Sequence, residues 1–379
     1  MNEQKENGID DKVVKIKKSL ENLNSKNFTI FIFSPSVGGP SGGIGVLYQH
    51  AKVLKELNYN VKILTEKNDY KNPEEWLGDK YSGIEHVSLE STKLQVSPED
   101  FLILPEGYAG VLGIQTKSLS CRKIVLCQSW IYILGNLMPG QKWSDESTGL
   151  KNTIVVAEPL KKYIETIFGE NDQRIKVCRQ YIDEDIFYPS KKPQKPIIVL
   201  SSRDQMQSLN LIKHFYLKYP QYRWISFKEM RGLNRDEFAE TLRESCLGVW
   251  LDKIAGFGTF PIECAKSDVP VIALIPDITP EYATETSCIW TNELLSIPDL
   301  IGNFVKLYLE DSIPEEISKG TKELALKYSE DDGKKEIERT YRELVNERRD
   351  EFSTFINSNR EITQSMISKQ EEPVTEEVK

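Results

Sequence analysis

Apolar residues fall into short continuous runs set between longer stretches in which they recur at helical spacing. The runs are Asn27–Phe33, Val61–Leu64, Phe101–Leu104, Ile124–Cys127, Thr153–Ala157 and Arg174–Cys178. Further on come Ile197–Leu200, Tyr222–Phe227, Gly248–Leu251, Val271–Leu274 and a last short one, Ser287–Trp290. Such runs read as strands buried on both faces. Between them, Gly45–Leu57 carries Leu47, Ala51 and Leu54 on one side, and Glu158–Phe168 carries Leu160, Tyr163 and Ile167. Leu209–Tyr216, Arg235–Cys246 and Pro298–Leu309 read as helices too. Helices alternating with buried strands predict two parallel-sheet α/β units.

The ends are helical in pattern. Asp10–Asn24, with Val13, Val14, Ile16, Leu20 and Leu23, predicts a surface addition to the core fold. Ser312-Ile313-Pro314-Glu315 reads as a capping box. Ser329 opens a helix whose stripe is Ile337, Tyr341, Leu344 and Val345. Tyr188–Pro196 holds three prolines and three lysines and marks the boundary between the α/β units. The expected division is a helical extension over 1–26, a first α/β unit over 27–190 and a second over 191–312. C-terminal helices over 313–368 and a disordered tail over 369–379 complete it.

The 379 residues suffice for two such units, and 39% hydrophobic with 28% charged content is ordinary for a globular chain. The net charge of −9 disfavours a general nucleic-acid binder. No run is apolar for long enough to span a bilayer, and the polar start offers no signal peptide. The six cysteines form no Cys-x-x-Cys pair, and the three histidines are scattered, so no metal site is expected. A cytoplasmic location follows as the expectation. Asp183-Glu184-Asp185 reads as turn carboxylates.

Two glycine-bearing crossings carry the candidate chemistry. After the first strand comes Ser34-Pro35-Ser36-Val37-Gly38-Gly39-Pro40-Ser41-Gly42-Gly43-Ile44-Gly45, which lacks the Lys-Ser/Thr of a Walker loop. A loop there lies at the carboxyl edge of its sheet, where ligands bind. In the second unit, Gly256-Phe257-Gly258-Thr259 leads from a strand into a helix with Pro261 and Glu263 in its first turn. The free N–H groups at a helix start suit a phosphate.

This last string, with Val269-Pro270-Val271-Ile272 after it, resembles the hallmark of glycosyltransferase family four. The resemblance covers roughly Phe28 to Leu309. It implies the GT-B fold: two Rossmann-like α/β/α domains facing a cleft, with C-terminal helices returning to the first. It also implies a donor site in which Gly256, Phe257, Gly258 and Thr259 hold a nucleotide-diphosphate sugar while Glu263 accepts the ribose hydroxyls. Gly42 and Gly43 would close a loop over the diphosphate. Arg203, after the first strand of the second unit, matches the family's diphosphate arginine.

The chain departs from the family pattern at three places. Ala255 stands where a second glutamate is usual, Ser208 where a lysine is expected, and Glu106 where a histidine usually follows its strand. Asp252 could replace the missing glutamate, and Lys213 or Lys253 could supply the missing charge. Glu106 and Gln128, at neighbouring strand ends, could line the site.

The resemblance thus implies sugar transfer from a nucleotide sugar to a glycan or other hydroxyl acceptor, retaining and without an essential metal or other cofactor. Arg203, Glu106 and Asp252 are the catalytic candidates. Two alternatives remain open at this point: a non-catalytic sugar-nucleotide-binding or scaffold protein, and a transferase acting on modified DNA bases through a basic face with Lys117, Arg122 and Lys123.

Overall fold

A computed structural model describes residues 2–35, 39–67, 74–91, 94–169, 174–192, 194–284 and 286–370, with side chains between 11 and 359. Ser36, Val37 and Gly38 of the first glycine loop, Pro193 of the linker and the tail from Glu371 lie outside the described residues. Seven parallel strands form the first sheet: β1 (Thr29–Phe33), β2 (Asn60–Thr65), β3 (Glu85–Ser88), β4 (Phe101–Pro105), β5 (Arg122–Cys127), β6 (Asn152–Val155) and β7 (Arg174–Val177), in the order β3-β2-β1-β4-β5-β6-β7. The second contains β8 (Lys195–Ser201), β9 (Ser226–Glu229), β10 (Ser245–Trp250), β11 (Val271–Leu274) and β12 (Ile289–Thr291), in the order β12-β11-β10-β8-β9.

The helices are α1 (Asn2–Asn24), α2 (Gly42–Glu56), α3 (Glu74–Leu77), α4 (Glu106–Gln115), α5 (Glu158–Phe168), α6 (Gln205–Lys218), α7 (Arg235–Glu244), α8 (Phe260–Lys266), α9 (Ile297–Leu309), α10 (Glu315–Lys327) and α11 (Glu330–Gln370).

Side chains alternate across each sheet, as the strand repeat of two requires. Ile30 and Ile32 face α2 and α11, while Phe31 and Phe33 join the opposite cluster. In the second sheet Ile198 and Leu200 face the α6–α9 side, and Val199 faces the other way. One apolar cluster runs through both units, from Leu104 and Val155 to Trp250 and Phe257.

The chain folds against several expectations in informative ways. β3 was absent from the apolar reading because Glu85-His86-Val87-Ser88 is an edge strand, paired only with β2 and only partly buried. α2 starts at Gly42 rather than Gly45, so Gly42 and Gly43 belong to a helical turn and not to a loop. α10 has Pro314 at its N-cap and no side-chain cap bond, so no capping box forms there. Ser329 does cap α11: its hydroxyl accepts the Asp332 N–H at 3.1 Å.

α1 is more than a surface addition. It packs along α11, with Leu23 fully buried and the Ser19 hydroxyl donating to Glu99 at 2.8 Å. α11 returns to the first sheet, where Lys176 meets Glu343 and Glu347 at 3.0 and 2.6 Å.

Ile337, Tyr341 and Leu344 of α11 fill the outer face of the first sheet against α2. Leu344→Ala should therefore lower the stability of the chain by about 2–5 kcal/mol. An unchanged urea midpoint would show that α11 is not part of that core.

Candidate active site

Strand order decides where side chains can meet. In the first sheet the order reverses between β1 and β4, and in the second between β8 and β10. Such reversals open a crevice at the carboxyl ends of the strands. The residues after β8 and β10 are thereby adjacent. Arg203 follows one and Asp252 the other, and Arg203 Nε donates to Asp252 Oδ2 at 2.6 Å. Arg203 Nη1 also reaches across to the Tyr132 hydroxyl of the first unit, at 3.3 Å.

A cavity of about 470 Å³ lies between the two units. Pro40, Ser41, Gly42 and Gly45 form its wall on the first unit. Arg203, Arg231, Arg235, Thr259 and Glu263 are on the second. Of the expected site residues, the fold therefore brings Gly42, Arg203, Thr259 and Glu263 to one cavity. Ser208 lines it as well, buried in the first turns of α6, so no lysine enters from that position.

The remaining candidates sit differently. Phe257 is buried, edge-on to Tyr282 and Tyr328 with ring centroids 5.5 and 5.3 Å away. Its carbonyl and that of Gly258 accept the Tyr282 hydroxyl at 2.8 and 2.6 Å. Gly258 has φ +76°, and a Cβ there would overlap the Trp250 ring. A Cβ at Gly256 would overlap the Gln128 carbonyl, so this glycine lets the two units touch. The Gly-Phe-Gly turn is thus packed among the protein's own groups, and only its exit at Thr259 borders the cavity.

Lys253 is not among the lining residues, and its Nζ donates to the Asn292 carbonyl at 3.4 Å. Gly43 is held from the first unit, its carbonyl accepting the Gln128 side-chain amide at 3.0 Å. Glu106 does not line the cavity. It opens α4, is buried, and accepts the Ser129 N–H at 2.9 Å. The strand-end position was legible, but the spacing gave no sign that its carboxylate turns inward to hold a backbone.

Burial pushes Glu106 and Glu263 up to about 7. For Glu106, backbone hydrogen bonds, Ser129 among them, oppose the shift. For Glu263, the Arg235 charge and a Thr259 hydrogen bond oppose it.

Two cations were missed in the sequence. Arg231 Nη2 donates to the Ser202 and Arg203 carbonyls, each at 3.1 Å, and so braces the turn that carries Arg203. Arg235 is the first residue of α7, behind the Asn234–Glu237 capping box. The box Asn-x-x-Glu was readable; that the next side chain enters the cleft was not. Lys213 lies outside the cavity lining. Among the described residues, no three His, Cys, Asp or Glu side chains group as a metal site, and no helix is long and apolar enough to cross a membrane. All six cysteines are buried and free.

No known family profile matches the chain. An alpha-1,6-glucosyltransferase of Actinobacillus pleuropneumoniae is 23% identical over 254 residues, which is 66% of this chain and 73% of the relative. Among solved structures, Staphylococcus aureus TarM superposes with a TM-score of 0.63 at 12% identity, covering 84% of this chain and 98% of its own. Anabaena HepE in complex with UDP superposes with a TM-score of 0.58 at 12% identity, covering 83% and 100%. These likenesses show the GT-B fold.

Stability should depend on pH through Glu106. Its folded pKa lies above the ordinary carboxylate value, so its contribution is full below about 4.5 and is lost as pH rises through about 7. Glu106→Gln keeps an acceptor for Ser129 and has no charge to bury. The variant should gain about 1–3 kcal/mol over the parent at pH 8 and nothing at pH 4. Parallel melting-temperature profiles for the two proteins would contradict this.

Proposed function

We propose that this GT-B chain is a glycosyltransferase that moves a sugar from a nucleotide-diphosphate sugar to a hydroxyl acceptor. The observation that carries the reading is the cavity where Arg203 and Glu263 of one sheet face the first turn of α2 of the other. Cations, a half-buried carboxylate and helix N–H groups around one space suit a diphosphate joined to a ribose. The relative's name and the UDP and UDP-glucose complexes of HepE support a nucleotide sugar as donor. The second unit takes the nucleotide in this reading, and the first unit takes the acceptor.

Each residue then has a task. Glu263 accepts hydrogen bonds from the ribose hydroxyls. Arg203 stabilises charge that builds on the leaving diphosphate as the anomeric C–O bond breaks. Asp252 holds the Arg203 guanidinium in place, and Thr259 borders the same phosphates. Gly42, the first residue of α2, lines the cavity from the first unit, with the Gly43 carbonyl accepting from Gln128. The sugar passes through an oxocarbenium-like state, and the acceptor oxygen enters on the face the diphosphate leaves, its proton passing to the departing phosphate oxygen, so configuration is retained. Arginines neutralise the leaving group without a bound metal. Glu106 acts at one remove, through the Ser129 backbone. Gly256, Phe257 and Gly258 shape the turn rather than touch the donor.

Thermal shift with UDP, GDP, ADP and their sugars should single out one nucleotide, followed by slow hydrolysis of that donor. Binding without turnover, with a panel of glycan acceptors added, would leave a binding protein instead. Glu263→Gln should weaken the nucleotide by about 1–3 kcal/mol. Unchanged affinity in the folded variant would remove its ribose role. Arg203→Ala should lower kcat by 10-fold or more with little change in melting temperature; equal turnover would reject the arginine as the group that stabilises the leaving diphosphate.

A further inference from the structure

Arg235 is the least explained charge in the cleft. Its side chain is only 16% exposed, yet it lines the cavity. Nη2 pairs with Asp183 Oδ2 at 2.7 Å. Asp183 is already served by Lys80 at 3.0 Å and by the Tyr81 hydroxyl at 2.8 Å. One carboxylate with two other donors does not account for a guanidinium with five N–H groups. Arg235 Nε is buried and has no hydrogen-bond partner among the described residues.

The opposite wall makes the imbalance sharper. Arg235 Nη1 lies 3.7 Å from the point where a Cβ of Gly45 would sit, in the first turns of α2. That helix has no acidic residue in its first turn, and Ser41 makes no side-chain cap bond. The leading N–H groups of a helix have no partner within it, and they carry partial positive charge. A cation therefore approaches the side of the opening turn of α2, whose leading N–H groups carry partial positive charge, and both border one cavity. Glu263 offsets little of this, because burial favours its neutral form up to about pH 7. An anion placed between them would satisfy both.

We infer that Arg235 is a second cationic ligand of the donor diphosphate, reaching it from the second unit while the amino end of α2 reaches it from the first. This rests on the glycosyltransferase reading above and specifies that site. It fills the charge that the serine at 208 does not bring, from the first turn of α7 instead of α6. Arg203 and Arg235 would then hold the diphosphate from two sides, with Asp183 keeping the Arg235 fork oriented.

The test compares UDP with UMP, which differ by one phosphate, by calorimetry on the full chain; GDP with GMP and ADP with AMP serve where the uridine pair does not bind. Arg235→Gln should weaken the diphosphate at least 10-fold and leave the monophosphate within twofold of the parent. A diphosphate-to-monophosphate preference unchanged in Arg235→Gln would overturn the assignment. Should that variant not fold, Arg235→Lys keeps a charge beside Asp183 but loses the fork. It should show a smaller drop in the same preference, and an undiminished preference would overturn the assignment equally. A parent protein that binds none of the three diphosphates would overturn the glycosyltransferase reading itself, a result distinct from a failure of Arg235 alone.

Discussion

One buried carboxylate ties the molecule together. Asp183 is fully buried just before the linker, and its two oxygens collect Lys80 and Tyr81 from the first unit and Arg235 from the second. Lys80 extends the network to Glu330 at the start of α11, at 3.0 Å. Four separate parts of the chain meet at one charge. Burying such a network costs desolvation energy that its Coulomb attraction offsets only when the geometry is good. Its value lies in specificity. A lone carboxylate or guanidinium left there would be far more costly than the complete set, so the two units favour one relative placement. That placement is what sets α2 opposite Arg235.

The second tie is steric and sits at the other side of the cleft. Gly256 accepts the backbone of Gln128 and Ser129 where any side chain would collide. The Ser129 hydroxyl donates to the Ile254 carbonyl at 3.5 Å, and Ser129 is itself fixed by Glu106 at 2.9 Å. A glycine that looks like a phosphate-loop residue in sequence thus serves as a contact between units. With the Asp183 network on one flank and this backbone contact on another, the cavity keeps a defined width.

The fold was largely legible because buried parallel strands are continuous apolar runs, and these survive reading without any partner known. β1, β4, β5, β8, β10 and β11 all appear that way. β3 did not, since an edge strand needs no apolar run. Arg203 and Glu263 were legible as candidates through their motif, and the fold brings both to one cavity. Arg235 was not, because nothing local distinguishes it from a surface arginine. Its environment comes from Asp183, Gly45 and Glu263, all distant in sequence. Glu106 failed in the opposite sense. Its place at a strand end was plain, but strand ends point both into and away from a cleft, and the choice is made by the neighbouring strand's Ser129.

The departures from the family pattern have a shared logic in charge. Ala255 is buried in the core cluster that contains Trp250 and Phe257, so a carboxylate there would have to be desolvated. Ser208 is buried too, and lines the same cavity as Arg235. Relative to the pattern, one acid and one base are missing. Those two losses balance in charge, whereas Glu106 for a histidine adds an acid outside the cavity lining and Arg235 brings a further base to it. Asp252, the candidate to replace the missing glutamate, is committed to Arg203 at 2.6 Å. In the proposed glycosyltransferase reading, Arg203 and Glu263 would keep the nucleotide and diphosphate contacts, while the glutamate that the family pattern places at the donor sugar is absent. Under that reading, the difference from the pattern would bear on which sugar is chosen more than on whether a diphosphate is held.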